Sequence, residues 1–323
     1  MLRDALDHLL AQDAGGLQCE IIVVDNNSTD GTAEVVRELA RDGPIELRYS
    51  FEPKQGISYA RNTGWALARA PLIAYTDDDI CVGDDWLLRV FDAFARHPEV
   101  ECVGGKVLPT WPMPPPSWLT RNHWSPLAIL DYGDVPLRFD HRDPRCVVGA
   151  NFAWRRNALA RLGGFSTTVQ RVKDGIGSIE DHECLVRLWD AGGCALYMPD
   201  IVVHGPVDAP RLTKAYHRRW HRGHGHFHAL MPIARLERSA AGRFLGVPAC
   251  LYRQFLTHCG AWLYRLVSGR PDDAFVYETR MWFFWGFFQT RRRDWFRRAI
   301  GRRWRSDVDG PTRVHERPST GIV

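Results

Sequence analysis

The sequence predicts an α/β fold in which a mostly parallel sheet is flanked by helices, followed by a helical C-terminal region. Three observations lead to this prediction. Short apolar runs alternate with segments of helical periodicity over the first part of the chain. Two of these runs end in polar loops, as strands of an open α/β sheet do where they carry a ligand site. Beyond Arg211 the pattern is helical throughout.

The first elements alternate regularly along the chain. Leucines at helical spacing predict a helix at the N-terminus, and the run CEIIVVD predicts a buried strand after it. A helix over Thr32–Arg41 and a strand over Ile45–Phe51 come next. They are followed by a helix over Ile57–Ala68 and by a strand over Pro71–Tyr75, which ends at three aspartates. This alternation is typical of an α/β sandwich.

The later segments are less regular. The stretch Pro109–Pro126 is rich in Pro and Trp, so we expect a surface loop or lid there. Helices are predicted again over Arg156–Leu162 and Glu183–Ala191.

Composition excludes several classes of protein. The chain has 323 residues, 45% of them hydrophobic, and a formal net charge of +4, which favours neither disorder nor a nucleic-acid-coating surface. Its eight cysteines form no C-x-x-C pair, so we expect reduced thiols. The N-terminal helix lacks the apolar core of a secretory signal, and we therefore expect a cytoplasmic protein.

The C-terminal region, 211–323, is expected to form a second unit after a first domain over 1–210. Arginine and aromatic residues accumulate in it, and its two apolar segments, Phe244–Val267 and Phe275–Phe288, are interrupted by Arg or His. Neither segment is therefore a convincing membrane-spanning helix. Two interpretations stay open: an amphipathic region on an anionic membrane surface, or a helical subdomain packed on the first domain.

The acidic triplet Asp77, Asp78 and Asp79 is the first candidate site. Adjacent carboxylates raise each other's pKa, so a cation is expected beside them. Hard oxygen ligands suit Mg²⁺ or Mn²⁺, which commonly bind one or two carboxylates together with substrate phosphates. The alternative is an acidic N-terminus for the helix predicted over Trp86–Phe94.

The pair Glu180 and Asp181 is the second candidate site. It follows a Gly-rich segment and precedes a helix, so a carboxylate there can point into a cleft and act as a general base for a hydroxyl group. The alternative is that both residues only cap the helix.

Histidines form the third group of candidates. His204 follows an apolar strand, where it is either a metal ligand or a structural residue. A later run lacks carboxylate or cysteine partners, and we interpret it as a solvated basic face rather than a zinc site. The run comprises His217, His221, His224, His226 and His228.

Together these segments resemble family 2 glycosyltransferases, which have the GT-A fold. The resemblance runs from about Leu2 to Val207. It rests on five segments in one order: EIIVVDNNSTDGT, QGISYARNTG, YTDDD, GANFAWRRNALARLGGF and IEDHECLVRLWDAGG.

The resemblance implies a nucleotide-sugar site. Asp25 and Asn26 correspond to the loop that contacts the base and ribose, although many members have Asp in place of Asn26. Arg61 and Asn62 correspond to the segment that lines the donor site. The remaining donor-binding candidates lie in three other segments: Asp77, Asp78, Gly149, Ala150, Asn151 and Glu180.

The resemblance also implies the chemistry. Asp77 and Asp79 correspond to the outer carboxylates of the D-x-D motif, which hold the ribose and a diphosphate-bound Mn²⁺ or Mg²⁺. His204 resembles a histidine that completes the metal site in some relatives. Asp181 corresponds to the catalytic base, which implies transfer with inversion.

One feature departs from the family pattern. Relatives begin with an apolar strand and a turn before the first helix, whereas this sequence starts within that helix at Met1. We therefore expect the first strand of the fold to be absent, unless it lies upstream of Met1.

Three functions compete at this point. The first is a glycosyltransferase that acts on a saccharide or lipid-linked acceptor in polysaccharide or glycolipid synthesis, with contact to the inner face of the cell membrane. The second is a nucleotide-sugar-binding partner protein with little turnover. The third is a processive membrane synthase, which the interrupted apolar segments argue against.

Overall fold

The computed structural model describes residues 1–40, 45–172, 175–231 and 242–308, with side chains described as far as residue 299. The predicted α/β class is confirmed in these residues, and most predicted bounds are correct to within three residues. The helices are α1 Leu2–Leu10, α2 Thr32–Leu39, α3 Ile57–Leu67, α4 Trp86–Arg96, α5 Arg156–Leu162, α6 Glu180–Asp190, α7 Lys214–Leu230, α8 Ala249–Val267 and α9 Pro271–Val308. The strands are β1 Glu20–Asp25, β2 Glu46–Phe51, β3 Leu72–Tyr75, β4 Cys81–Val82, β5 Cys102–Thr110, β6 Leu137–Phe139, β7 Phe152–Arg155, β8 Ala195–Pro206, β9 Arg243–Phe244 and β10 Val247–Pro248.

The strands of the first domain form two sheets. β1 and β2 pair in parallel, with Val24 opposite Ser50. The larger sheet has the order β3-β7-β5-β8-β4, with β6 beside β8. Only β5 and β8 pair in parallel within it. β7 is antiparallel to both β3 and β5, and β4 and β6 are antiparallel to β8. The pairing is therefore more mixed than the alternation of strands and helices indicates.

A gap separates the two sheets between β1 and β3. β1 pairs with β2, and β3 pairs with β7, but β1 and β3 do not pair with each other. A cavity of about 940 Å³ lies there, lined by both strands and by apolar residues of α1 and α4. Among the described residues, no strand lies in this gap between β1 and β3.

The main core lies on both faces of the larger sheet. Phe152 and Trp154 of β7 are almost completely buried, as are Tyr197 of β8 and Phe139 of β6. A strand that is buried on both faces has a continuous apolar sequence, which is why FAW in β7 shows no alternation. This core fixes the ends of β3 and β7, from which the candidate site is built.

The expectation of a surface loop over Pro109–Pro126 is wrong in part. Trp118 and Leu119 are buried together with Leu212 and Phe275 of the C-terminal region. The segment contains the end of β5 and two short 3₁₀ turns, Arg121–His123 and Ser125–Leu127. Its Trp side chains connect the first domain to the C-terminal helices.

The C-terminal helices pack closely on each other. A Cβ atom on Gly225 of α7 would lie 1.9 Å from the carbonyl oxygen of Phe283, and one on Gly286 of α9 would lie 1.9 Å from that of Arg222. Phe284 and Phe288 of α9 are buried against α8. Among the described residues, no helix is both long enough and apolar enough to cross a bilayer.

The interpretation of the histidine run as a solvated face is wrong. His217 is fully buried, and His224 contacts His228 through their Nε2 atoms at 3.1 Å. Burial lowers the pKa of His217 to about 4 and that of His224 to about 3, so both rings are neutral near pH 7. Of the five histidines, His226 is the most exposed, and its ring forms a hydrogen bond with the hydroxyl of Thr290. The glycines in this run permit close helix packing rather than exposure to solvent.

Candidate active site

Asp25 lies at the carboxyl end of β1 and accepts two hydrogen bonds. The backbone N–H of Ser28 donates to its Oδ1 atom at 2.8 Å, and the hydroxyl of Tyr49 donates to its Oδ2 atom at 2.8 Å. Burial alone would raise the pKa of Asp25, but these hydrogen bonds hold it below its ordinary value. Asp25 is therefore an ionised acceptor at one end of the cavity.

Asn26 fixes the loop after β1 against the segment before α3. Its Nδ2 atom donates to the carbonyl of Lys54 at 2.7 Å, and its Oδ1 atom accepts from the N–H of Gly56 at 2.6 Å. Gly56 has φ 143°, and a Cβ atom there would lie 2.3 Å from the side chain of Gln170. The side chain of Asn26 thus holds the loop rather than pointing freely into the cavity.

Arg61 lies on α3 and forms a buried ion pair with Glu180. Its Nη1 atom lies 2.8 Å from the Oε1 atom of Glu180, and the two side chains are 8% and 5% exposed. A Cβ atom on Gly149 would lie 2.0 Å from the Nη2 atom of Arg61, so a larger residue there would displace the buried guanidinium. The Oε2 atom of Glu180 is buried without a hydrogen-bond partner.

Asp181 is the second residue of α6 and lies next to this ion pair. Its Oδ2 atom accepts from the N–H of Gly149 at 3.2 Å, and its Oδ1 atom accepts from the N–H of His182 at 2.7 Å. Burial and the neighbouring Glu180 raise the pKa of Asp181 to about 6, against the opposing effect of Arg61. A carboxylate with a pKa close to neutral is suited to accept a proton from a hydroxyl group.

The acidic triplet follows β3 and carries more negative charge than its surroundings neutralise. Burial raises the pKa of Asp77, although Arg61 and Arg171 oppose this change. Burial and the two neighbouring aspartates raise the pKa of Asp79 to about 6, with Arg211 opposing. Because Arg61 interacts electrostatically with Asp77 and with Asp181, it links the triplet to the start of α6.

A comparison with known protein families shows which family this chain belongs to. The sequence profile of the family described as "Glycosyl transferase family 2" matches residues 1–163, which is just over half of the chain. The chain belongs to glycosyltransferase family 2. The matched part contains Asp25, Arg61 and the acidic triplet, but it ends before Asp181.

Two curated relatives of this family 2 chain have different described functions. A glucosyl-dolichyl phosphate glucuronosyltransferase from Haloferax volcanii is 24% identical over 59% of this chain and 59% of its own length. The succinoglycan biosynthesis protein ExoM from Rhizobium meliloti is 28% identical over 64% of this chain and 63% of its own length. This chain thus spans about three fifths of the length of these two relatives.

Solved structures confirm the GT-A fold. A mannosyltransferase from Pyrobaculum calidifontis, solved in complex with GDP-Man and Mn²⁺, matches with a TM-score of 0.51 at 20% identity. The match covers 93% of this chain and 71% of that chain. At this identity the likeness shows the shared fold alone.

The residues of this family 2 chain fit a divalent cation at the acidic triplet. Asp77 and Asp79 would supply the oxygen ligands, because their negative charge is only partly compensated and such a pair suits a cation that also binds phosphate oxygens. In the described parts of the chain, no three His, Cys, Asp or Glu side chains are grouped to hold a metal ion. His204 is exposed on β8 opposite Cys81, and its role as a ligand stays a prediction.

Three further predicted residues have structural contacts. The amide of Asn62 bonds the backbone of Phe165 in both directions. The Nδ2 atom of Asn151 donates to the carbonyls of Lys106 and Ile201, where the pairing of β5 with β8 shifts register. Ala150 is buried in the core. These side chains hold the walls of the site in place.

Sequence reasoning missed three residues of the site: Tyr49, Arg171 and Arg211. Tyr49 lies on β2 and reaches Asp25 on the neighbouring parallel strand. Arg171 and Arg211 lie far from the triplet in sequence, yet both oppose the rise of the aspartate pKa values. The alternation along β2 could have indicated Tyr49, whereas no local pattern identifies the two arginines.

The cavity beside the site has two chemically different parts. Asp25, Asn26, Arg61, Arg171 and the acidic triplet line its polar end, whereas Ile21, Val23, Leu72 and Ile73 line the part between the sheets. A charged diphosphate is not stable against the apolar walls of that second part. Only the polar end therefore suits a nucleotide sugar.

Proposed function

We propose that this family 2 chain transfers a sugar from a nucleoside-diphosphate sugar to an acceptor hydroxyl, with inversion at the anomeric carbon. The observation that carries the proposal is the position of Arg61, which interacts with the acidic triplet through Asp77 and with the Glu180–Asp181 pair. A leaving diphosphate and a proton acceptor need such neighbouring sites.

In this proposal Asp181 is the general base. Its carboxylate takes the proton of the acceptor hydroxyl while the hydroxyl oxygen bonds to the anomeric carbon. The bond from that carbon to the diphosphate oxygen breaks on the opposite face, and the electron pair leaves with the nucleoside diphosphate. The raised pKa of Asp181 suits this role, and the N–H of Gly149 orients its Oδ2 atom.

The donor is held by the residues at the polar end of the cavity. Asp25, Asn26 and Arg61 line the part that would face the base and ribose, while Tyr49 holds Asp25 and Asn62 holds α3 against Phe165. Asp77 and Asp79, with His204 as a further candidate ligand, would hold Mn²⁺ or Mg²⁺, which neutralises charge on the leaving diphosphate. Arg171 and Arg211 add positive charge near the same aspartates.

The acceptor is a saccharide or a lipid-linked saccharide in polysaccharide or glycolipid synthesis. The names of the curated relatives, one acting on a dolichyl phosphate glucoside and one in succinoglycan biosynthesis, support this class. We propose a cytoplasmic location at the inner face of the membrane. The eight cysteines are unpaired thiols, which favours a reducing compartment.

A donor screen tests the proposal. Thermal unfolding is measured with each nucleoside-diphosphate sugar, with and without Mn²⁺, because a ligand at 100 times its Kd stabilises by about 2.7 kcal/mol. The stabilising donor is then incubated with saccharide and lipid-linked acceptors, and release of nucleoside diphosphate is followed. Donor binding without release on any acceptor would instead favour a nucleotide-sugar-binding partner protein.

A further inference from the structure

Helix α8 carries a row of apolar side chains that the rest of the described chain leaves uncovered. Leu256, Leu263 and Val267 are 66%, 55% and 75% exposed. With Gly260 they follow the spacing i, i+4, i+7 and i+11, which places them on one face of the helix. We call these four residues the α8 stripe.

The opposite face of α8 is already occupied. Leu251 is buried in the cluster that contains Phe284 and Phe288 of α9, and the ring of Phe255 lies 5.7 Å from that of Phe288. The helix therefore has two apolar faces. One face packs on α9, and the other is exposed in the described chain.

Neighbouring residues extend the apolar surface. Tyr264 on α8 is 65% exposed, and Leu266 near its end is 37% exposed. Phe244 of the β9–β10 hairpin is 64% exposed, and its ring lies 6.0 Å from that of Tyr252 on α8. Exposed apolar side chains clustered in this way are uncommon unless they bind a partner or a membrane.

The charge of the region points to an anionic partner. Residues 243–298 contain ten arginines but only four Asp and Glu residues, and α8 itself contains no acidic residue. Arg253 lies beside the α8 stripe and is exposed. On α9, exposed Trp285, Arg292 and Phe296 share one face because they are spaced i, i+7 and i+11.

We propose that the α8 stripe docks the protein on an anionic lipid surface. Apolar side chains flanked by guanidinium groups on a helix that does not span are the pattern of an interfacial helix. A second copy of the chain is less favoured as the occupant, because it would bring two arginine-rich surfaces together. The proposal is independent of the transfer chemistry proposed above.

The Trp residues of α9 contribute unequally to this surface. Trp282 is half-buried and donates to Glu278 at 3.4 Å, so it belongs to the packing of α9. Trp285 and Trp295 are 46% and 42% exposed, which is less than Leu256, Leu263 and Val267 of the α8 stripe. The α8 stripe therefore supplies more exposed apolar side chains for entry into a headgroup layer than the Trp residues of α9 do.

Flotation of the full chain with vesicles tests the proposal. The vesicles are phosphatidylcholine with or without phosphatidylglycerol, and binding should require the anionic lipid and weaken with added salt. The variant Leu256→Gln/Leu263→Gln should lower the vesicle partition constant at least about tenfold. The matched control, Met113→Gln/Val135→Gln, changes two exposed apolar residues outside this region and should bind like the wild type.

Two further experiments test the role of charge and the alternative of self-association. Arg253→Gln should weaken binding to anionic vesicles, whereas Arg142→Gln, at an exposed site in the first domain, should not. Equal flotation of the stripe variant and the wild type would overturn the proposal. So would sedimentation that shows a dimer dissociated by Leu256→Gln/Leu263→Gln, since the stripe would then be a contact between copies. Thermal unfolding checks that each variant is folded.

Discussion

The guanidinium of Arg61 and the carboxylate of Glu180 are joined at 2.8 Å inside the protein, one residue before Asp181. This pair fixes the start of α6 to α3. The unpaired Oε2 atom of Glu180 and the nearby Asp77 and Asp181 make the surroundings strongly acidic. Arg61 is therefore a structural requirement of the site as well as part of its electrostatics.

Replacing Arg61 by Met should destabilise the protein strongly. Glu180 would be left buried without its counter-charge, and breaking a buried pair in this way costs about 3–5 kcal/mol. Urea denaturation measures the change in the free energy of unfolding. The control is Arg37→Met, which removes an exposed ion pair with Glu34 and should cost about 0–1 kcal/mol. Similar losses in both variants would show that the Arg61 pair is not structurally important.

Replacing Asp79 by Ala should remove the metal-dependent binding of nucleoside diphosphate. The cation would lose one of its two anionic ligands, and transfer should be abolished with it. Calorimetry with and without Mn²⁺ measures the binding. Asp84→Ala, an exposed aspartate close to the triplet, should bind as the wild type does. Unchanged Mn²⁺-dependent binding in Asp79→Ala would exclude the assignment of the cation to this triplet.

Asp181→Asn should preserve donor binding but lower kcat by about 100-fold or more, because the amide cannot accept the hydroxyl proton. Asp190→Asn, at the exposed end of the same helix, should leave kcat unchanged. Calorimetry and initial rates separate the two effects. A wild-type kcat in Asp181→Asn would assign the base to another residue, and Glu180 would be tested next.

The pH profile gives an independent check of Asp181. Its pKa is raised to about 6, so the base becomes protonated and kcat/KM should fall as the pH drops below that value. A flat profile in this range would contradict the assignment of Asp181.

The sequence predicted the local elements well because each depends on neighbouring residues. The helix expected over Ile57–Ala68 is α3 at Ile57–Leu67, and the strand expected over Pro71–Tyr75 is β3 at Leu72–Tyr75. The antiparallel position of β7 between β3 and β5 was not predicted, since it is set by packing of distant segments. The site residues predicted from local patterns, such as Asp25 and Asp181, were found at element ends for the same reason.

The sequence did not predict the burial of the histidines, because helical spacing shows which residues share a face but not what packs against that face. Gly223 and Gly225 looked like interruptions in α7, but they permit contact with Ile176 and Phe283. His224 is thereby enclosed and bonds the carbonyl of Gly177. Arg171 and Arg211 were missed in a similar way, because only the folded chain brings them near the acidic triplet.

Acid should destabilise the fold through the buried histidines. Burial lowers the pKa of His217 to about 4, whereas the unfolded chain titrates near pH 6.5. The stability that neutral His217 contributes is thus fully present above about pH 6.5 and is lost as the pH falls towards about 4. His217→Phe, which keeps a ring between Trp118 and Phe275, removes this effect.

Denaturation at about pH 7 and pH 5 measures this difference. The loss of unfolding free energy between the two values should be smaller in His217→Phe than in the wild type by up to about 2 kcal/mol. The raised pKa values of Asp79 and Asp181 increase the free energy of unfolding as the pH falls through this range. Both residues are present in the wild type and in His217→Phe, so their effect cancels in the comparison. His141→Phe, at an exposed site, should match the wild type. An unchanged difference in His217→Phe would show that this ring does not titrate on unfolding.

Close packing of α7 on α9 should make any larger residue at position 286 destabilising. A Cβ atom there would lie 1.9 Å from the carbonyl oxygen of Arg222, so Gly286→Ala must push two helix backbones apart. Overpacking of this kind costs typically about 1–3 kcal/mol, which exceeds the gain of up to about 1 kcal/mol from the higher helix propensity of alanine. Gly260→Ala on α8 is the matched control, because a Cβ atom there meets nothing within 4 Å. Urea denaturation should therefore show a loss of stability for Gly286→Ala and a small gain for Gly260→Ala. A gain in both variants would mean that α7 and α9 do not pack at this distance.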